Sequence, residues 1–142
     1  MSTRQEKIEN HIMADPCANV LGARLEALRA GYARYTLEIP GAMLNFHGIT
    51  HGGVVFTLGD IAFAAASNSH GQMAVAQNVN ITFLQASKVG TRLIAEASEV
   101  ALNGPFGLYD IRVTDAVSGE LIARSQATVY RKKTWFVGEM SE

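Results

Sequence analysis

At 142 residues the chain has the size of one domain with one hydrophobic core, and 1–142 is read as a single domain. Its 48% hydrophobic and 18% charged residues, with 12 Lys+Arg against 13 Asp+Glu, describe a globular protein and argue against both disorder and bulk nucleic-acid binding. Cys17 is the single cysteine, so no intrachain disulfide forms, and the charged start Met1 to Lys7 leads into no apolar run. The expectation is a cytoplasmic protein that neither enters a membrane nor is secreted.

Thr3 to Ala14 carries Ile8, Ile12 and Met13 among polar residues, the narrow stripe of a short surface helix, and Asp15-Pro16 ends it. From Leu21 the period changes to two. Leu21, Ala23, Leu25 and Ala27 alternate with their neighbours, Ala30-Gly31 turns the chain, and Tyr32 to Ile39 alternates again, which predicts an antiparallel hairpin closed by Pro40-Gly41. After the central stretch, Met73 to Leu84 reads as a long strand. Asn78 and Asn80 change its parity, which predicts a bulge or a change of face. Leu93–Leu102, Leu108–Thr114 and Leu121–Tyr130 follow as strands, separated by Asn103-Gly104-Pro105 and by Val117-Ser118-Gly119-Glu120. Short turns favour antiparallel neighbours, so the expected fold is α+β, one strongly curved antiparallel sheet around a single long helix. Its uncovered edge or face invites a second subunit.

That helix, about 52–68, is apolar on nearly every face and should therefore be wrapped by other elements. Gly52 to Ala66 is shorter than the roughly 20 residues that span a bilayer. One carboxylate, Asp60, interrupts it, and no cation stands three or four residues away. Two readings stay open: an Asp satisfied by a backbone amide or by the Thr57 hydroxyl, or an active-site base or nucleophile. At the helix start, His51-Gly52-Gly53 presents amides without intrahelical acceptors at the positive end of the dipole, and neither Gly52 nor Gly53 holds a ligand away. Such amides can polarise a carbonyl; an ordinary turn with His51 as a cap is the plainer alternative. Gly52 and Asp60 are eight residues apart, roughly 12 Å along the helix axis at about 1.5 Å per residue. They cannot act on one carbonyl unless each comes from a different subunit. Gly59, Ala62, Ala65 and Ala66 would let two such helices approach closely.

Asn45 through Asp60, with Asn45 six residues before His51 and Asp60 nine after it, resembles the active-site segment of hot-dog-fold acyl-CoA thioesterases of the PaaI group. The likeness continues through Phe63–Asn68, Ala74–Gln77, Asn80–Leu84, Gly107–Asp110 and Gly119–Ala123, and covers about Asp15 to Arg131. The resemblance implies hydrolysis of aryl- or acyl-CoA thioesters in a homotetramer built as a dimer of dimers. It implies that the Gly52 amide polarises the carbonyl, that Asp60 of the facing subunit is base or nucleophile, that Asn45 positions water or thioester, and that His51 orients the Gly52 loop. Gly53, Phe46, Ala76 and Gln77 are the expected substrate contacts. Ala76 stands where relatives often carry a hydroxyl, so Gln77 or Asn78 would have to replace it. Arg131 and Lys132, just beyond the last strand, either meet CoA phosphates or form a solvated strand end.

No cofactor is expected, CoA being part of the substrate, and no metal: His47 and His51 are four apart but lack a carboxylate at zincin spacing. Cys17, in a loop with no histidine placed beside it, is discounted as a nucleophile. The alternatives are a hot-dog acyl-CoA hydratase, which would need an Asp and a His poised together, and a non-catalytic acyl-CoA-binding oligomer.

Overall fold

The computed structural model describes residues 1–138. Helix α1 (Arg4–Met13) starts in a capping box, in which the Thr3 hydroxyl accepts from the Glu6 amide and the Glu6 carboxylate accepts from the Thr3 amide. It buries Ile8 and Ile12. Asp15-Pro16 ends this helix as expected, but it also opens another, α2 (Pro16–Leu21). Asp15 caps it by accepting from the Ala18 amide at 3.1 Å, and Pro16 occupies the first turn, where its missing N–H costs nothing. Leu21 is thus helical rather than the start of a strand, and exposed Cys17 lies on a helix rather than in a loop.

Strands β1 (Arg24–Arg29) and β2 (Tyr32–Glu38) form the expected hairpin, turning at Gly31 with φ of 76°. Helix α3 (Gly52–Asn68) follows, then β3 (Gln72–Phe83), β4 (Arg92–Asn103), β5 (Phe106–Asp115) and β6 (Leu121–Trp135). The sheet order is β1-β2-β4-β5-β6-β3, antiparallel throughout, and every strand approaches α3. The last strand runs on to Trp135, so Arg131 and Lys132 sit inside β6 and not beyond it. Alternation weakens after Tyr130, yet pairing with β3 continues through Gln72↔Trp135.

The core lies between the sheet and one side of α3. Leu58, Phe63 and Ala66 pack there with Leu93, Ile111 and Val129, and Phe63 meets the Tyr109 ring edge-on at 5.5 Å. Gly59, Ala62, Ala65 and Ala66 belong to this buried side. Contrary to expectation, they bring α3 close to its own sheet rather than to a second helix: a Cβ on Gly59 would stand 3.3 Å from Ile111 Cγ2. The helix is not wrapped all round either. His51, Gly53, Phe56 and Ala64 are exposed, with Thr57 and Asp60 half-buried among them. At the far edge β3 pairs with β6 alone. Its register shifts between Ala76 and Asn78, the bulge foreseen from the parity change, and leaves Gln77 without a partner.

Candidate active site

The loop before α3 closes on itself. Leu44 bridges Thr50, the Asn45 amide donates to the Ile49 carbonyl at 2.8 Å, and Gly48, at φ of 77°, donates to the Asn45 carbonyl. A buried pair, Ser87 Oγ donating to Thr50 Oγ1 at 2.7 Å, ties this loop to the segment after β3. The Thr50 amide donates to the Ser87 carbonyl at 2.8 Å and the His51 amide to the Met43 carbonyl at 2.9 Å, which fixes where the helix begins.

His51 is the N-cap. Its Nδ1 accepts from the Gly53 amide at 3.0 Å, which requires that nitrogen to be unprotonated. The His51 carbonyl accepts from Val54 and Val55. The Gly52 amide, between them, donates to nothing among the described residues. One N–H at the positive end of α3 is therefore free, and it belongs to Gly52 and not to Gly53.

This amide borders a cavity of about 270 Å³ lined by Asn45, Ile49, Gly52, Val55, Phe83 and Gln85, among others. Asn45 Oδ1 accepts from the His47 amide at 2.9 Å, while its Nδ2 makes no hydrogen bond within the described residues. A free backbone donor and a free side-chain donor thus face one space, an arrangement suited to a carbonyl or an oxyanion.

Asp60 is elsewhere, two turns further along α3 and outside this cavity. Its carboxylate makes no hydrogen bond and no ion pair among the described residues; the Thr57 hydroxyl donates to the Gly53 carbonyl at 2.7 Å instead. Burial, then the negative charge of Asp15, holds the Asp60 carboxyl above the usual aspartate range. A half-buried carboxylate without a partner is costly, and in a site it is a stronger base than a solvated one.

The remaining residues named from the sequence do not gather at the Asn45–Gly52 cavity. Phe46 is 93% exposed, its ring 4.4 Å from that of His47. Ala76 and Gln77 are exposed on β3 at the sheet edge. Arg131 anchors the β4–β5 turn, its guanidinium donating to the Gly104 carbonyl and its amide to the Pro105 carbonyl, while Lys132 is exposed. Phe83, Leu84 and Gln85 line the cavity without having been singled out. The first two end the strand predicted over Met73 to Leu84 and are 52% and 54% exposed.

Residues 47–122 match the family model of the thioesterase superfamily. The acyl-coenzyme A thioesterase PaaI of Escherichia coli is 36% identical over 126 residues, spanning 87% of this chain and 84% of that protein. The chain belongs to the thioesterase superfamily. Within it the chain is a hot-dog thioesterase of the PaaI type, and the solved E. coli PaaI superposes with a TM-score of 0.87 at 32% identity, covering 94% of this chain and 99% of that one. A Streptococcus mutans protein whose structure was determined bound to acetyl-CoA superposes at 0.74 with 26% identity, over 78% and 88% of the two chains. The superfamily assignment makes the protein a thioester hydrolase and sets aside the hydratase and the non-catalytic binder. Among the described residues no three His, Cys, Asp or Glu side chains cluster, and no helix is long and apolar enough to cross a membrane.

Proposed function

We propose that this acyl-CoA thioesterase hydrolyses aryl-CoA thioesters of the phenylacetyl or hydroxyphenylacetyl kind, with medium-chain acyl-CoA as secondary substrates, at sites shared between subunits. The observation that carries this reading is the pair of unengaged groups on α3: the Gly52 amide at its start and the Asp60 carboxylate roughly 12 Å away along the axis. Each is half a site. Two helices related by a twofold axis bring the Gly52 of one subunit to the Asp60 of the other.

In the joined site the Gly52 amide receives the thioester carbonyl and stabilises the negative charge that develops on its oxygen. Asn45 Nδ2 donates to the same oxygen or holds the attacking water. Asp60 of the partner subunit takes a proton from water as its oxygen bonds to the carbonyl carbon; the C–S bond then breaks and the CoA thiolate leaves to be protonated. The products are the free acid and CoA, with no cofactor beyond the substrate's own CoA. His51 holds the Gly53 amide and so leaves the Gly52 amide as the donor.

Two surfaces support the assembly, a dimer of dimers in this reading: the unpaired edge of β3 and the face of α3 that carries Phe56 and Ala64. Arg131 is already engaged by the β4–β5 turn, so Lys132 is the better candidate for a CoA phosphate.

Subunit complementation tests this reading. Chains bearing Gly52→Pro and chains bearing Asp60→Asn are each expected to be nearly inactive. Unfolded and refolded together, they form mixed dimers in which one site keeps both groups, restoring about a quarter of wild-type thiol release. Failure to recover any activity in verified mixed dimers overturns the shared site.

A further inference from the structure

Asp15 stands where α1 gives way to α2, and the backbone holds it there from both sides. Its amide donates to the Ile12 carbonyl and its carbonyl accepts from the Asn19 amide, each at 3.1 Å. One carboxylate oxygen caps α2 at 3.1 Å from the Ala18 nitrogen, and the other bonds nothing among the described residues. The residue borders an open cavity of about 150 Å³ whose walls include Ile12 of α1, Tyr35 of β2, Ile61 and Ala64 of α3, and Phe136. Ile61 and Ala64 follow Asp60 by one and four positions, so the Asp15 charge is fixed beside the stretch of α3 that carries the proposed base.

Little nearby balances that charge. Among the described residues no Lys or Arg lines the cavity, and neither Asp15 nor Asp60 has an ion pair. Helix α3 holds no charged residue except Asp60. The other titratable groups around the helix are engaged elsewhere or neutral. His11 of α1 lines the cavity with its ring stacked on Phe136 at 4.5 Å. On the sheet side of α3, Tyr109 of β5 donates to Glu99 of β4, which also pairs with His70. Tyr35, 2% exposed, is pushed up to about 12 by burial and then by the Asp15 charge. Asp60 is raised by the same two causes in the same order. Two groups on different elements thus feel one charge across a mostly apolar space, where charges act more strongly than in water.

Hydrolysis asks two things of Asp60: to be ionised at neutral pH, and to hold the water proton firmly as the water oxygen attacks. A carboxylate that shared a proton with its neighbour would fail the first. Asp15 and Asp60 make no hydrogen bond to each other, so Asp15 acts through space and leaves Asp60 free to ionise. The proton balance of the reaction is unchanged: Asp60 takes one proton from water, and Asp15 neither gives nor takes any.

We propose that Asp15 is a positioning residue for the hydrolysis: held at the head of α2, its charge acts across the cavity on Asp60 of the same subunit and strengthens that carboxylate as the acceptor of the water proton. The inference rests on the thioesterase reading and adds a residue to its site. Asp15→Asn and Asp15→Ser both keep a cap on α2 and remove the charge, so both should melt within about 2 °C of wild type. Relative to wild type, their kcat/KM for thiol release from phenylacetyl-CoA should be at least about threefold higher on the acid limb than on the plateau, because the base titrates at lower pH without the neighbouring charge. The plateau itself should fall by up to about threefold. Loss of a merely structural cap would lower the rate equally at every pH. A second readout needs no turnover: with isotope-labelled aspartate, the Asp60 carboxyl resonance, assigned by its loss in Asp60→Asn, should titrate at lower pH in both variants than in wild type. An unmoved Asp60 titration, or an acid limb that stays in place while the titration moves, overturns the proposal. A moved titration with no thiol release from any acyl-CoA by the wild type would instead sink the hydrolytic reading, and with it the catalytic use of the charge, while the coupling of the two carboxylates stands.

Discussion

Gly52→Pro isolates one hydrogen-bond donor. Gly52 is the first residue of α3, where proline is favoured, and its amide donates to nothing among the described residues, so the substitution breaks no bond seen there. His51, at φ −61° and ψ 133°, already has a ψ suited to the residue before proline. A Cβ at position 52 meets only the Phe83 ring, at 3.5 Å, an ordinary contact. Folding stability should be unchanged or raised by up to about 1 kcal/mol through the stiffer unfolded chain, a rise in Tm of about 3 °C. Catalysis should fall by about 10² to 10³ in kcat, the effect of deleting one oxyanion donor, or about 3–4 kcal/mol. Gly52→Ala, which keeps the N–H and adds the Cβ alone, is the control and should stay within a few-fold of wild type. The assay is thiol release from phenylacetyl-CoA beside a thermal melt. If Gly52→Pro folds normally and turns over like Gly52→Ala, the free amide is not the carbonyl donor.

Three further outcomes are expected. Asp60→Asn should lower kcat by about 10² to 10⁴ and at the same time raise the melting temperature, since it replaces an unpartnered, half-buried carboxylate. Because the folded pKa of Asp60 is raised, its stability is full below the unfolded value of about 3.9 and is lost as pH rises through the folded value; the stability gain of the variant over wild type should therefore be larger at pH 7 than at pH 3.5. The acid limb of kcat/KM should likewise fall above the ordinary aspartate range, and a variant whose stability gain over wild type is no larger at pH 7 than at pH 3.5 would refute this account. Gly59→Val should cost about 1–3 kcal/mol in a thermal melt, because even a Cβ there comes within 3.3 Å of Ile111; an unchanged melt would mean the helix can lift from the sheet freely. Sedimentation should give a dimer or a larger assembly, and a fully active monomer would contradict the division of the site between subunits.

Where local chemistry was enough, the elements could be read directly. Period-two alternation located the hairpin and the later strands, Gly31 and Gly104 supplied the turns, and the parity change at Asn78 located the bulge. The apolar run after His51-Gly52-Gly53 gave α3, and Asp60 stood out because no cation was within a helical turn. Misreadings arose where one signal serves two purposes. Asp15-Pro16 stops one helix and caps the next, so α2 was missed. Small residues permit close approach without naming the partner, and Gly59, Ala62, Ala65 and Ala66 approach the sheet. Alternation fades after Tyr130 and so ends the last strand too early, whereas pairing with β3 extends β6 to Trp135 and puts Arg131 and Lys132 inside it.

By itself, the sequence determined the fold class, the central helix with orphan amides at its start and a lone carboxylate within it, and their separation on one rigid element. These follow from periodicity, capping and the rise of a helix, all properties of contiguous residues. Only the tertiary structure decided which side of α3 faces the sheet, that Asn45 and Gly52 share a cavity while Asp60 does not, and that Tyr35, Asp15 and Ala64 border one cavity. Tyr35 on β2, Asp15 before α2 and Ala64 on α3 are brought together by strand order and helix docking. Distant parts of the chain set those relations jointly, so no local pattern records them.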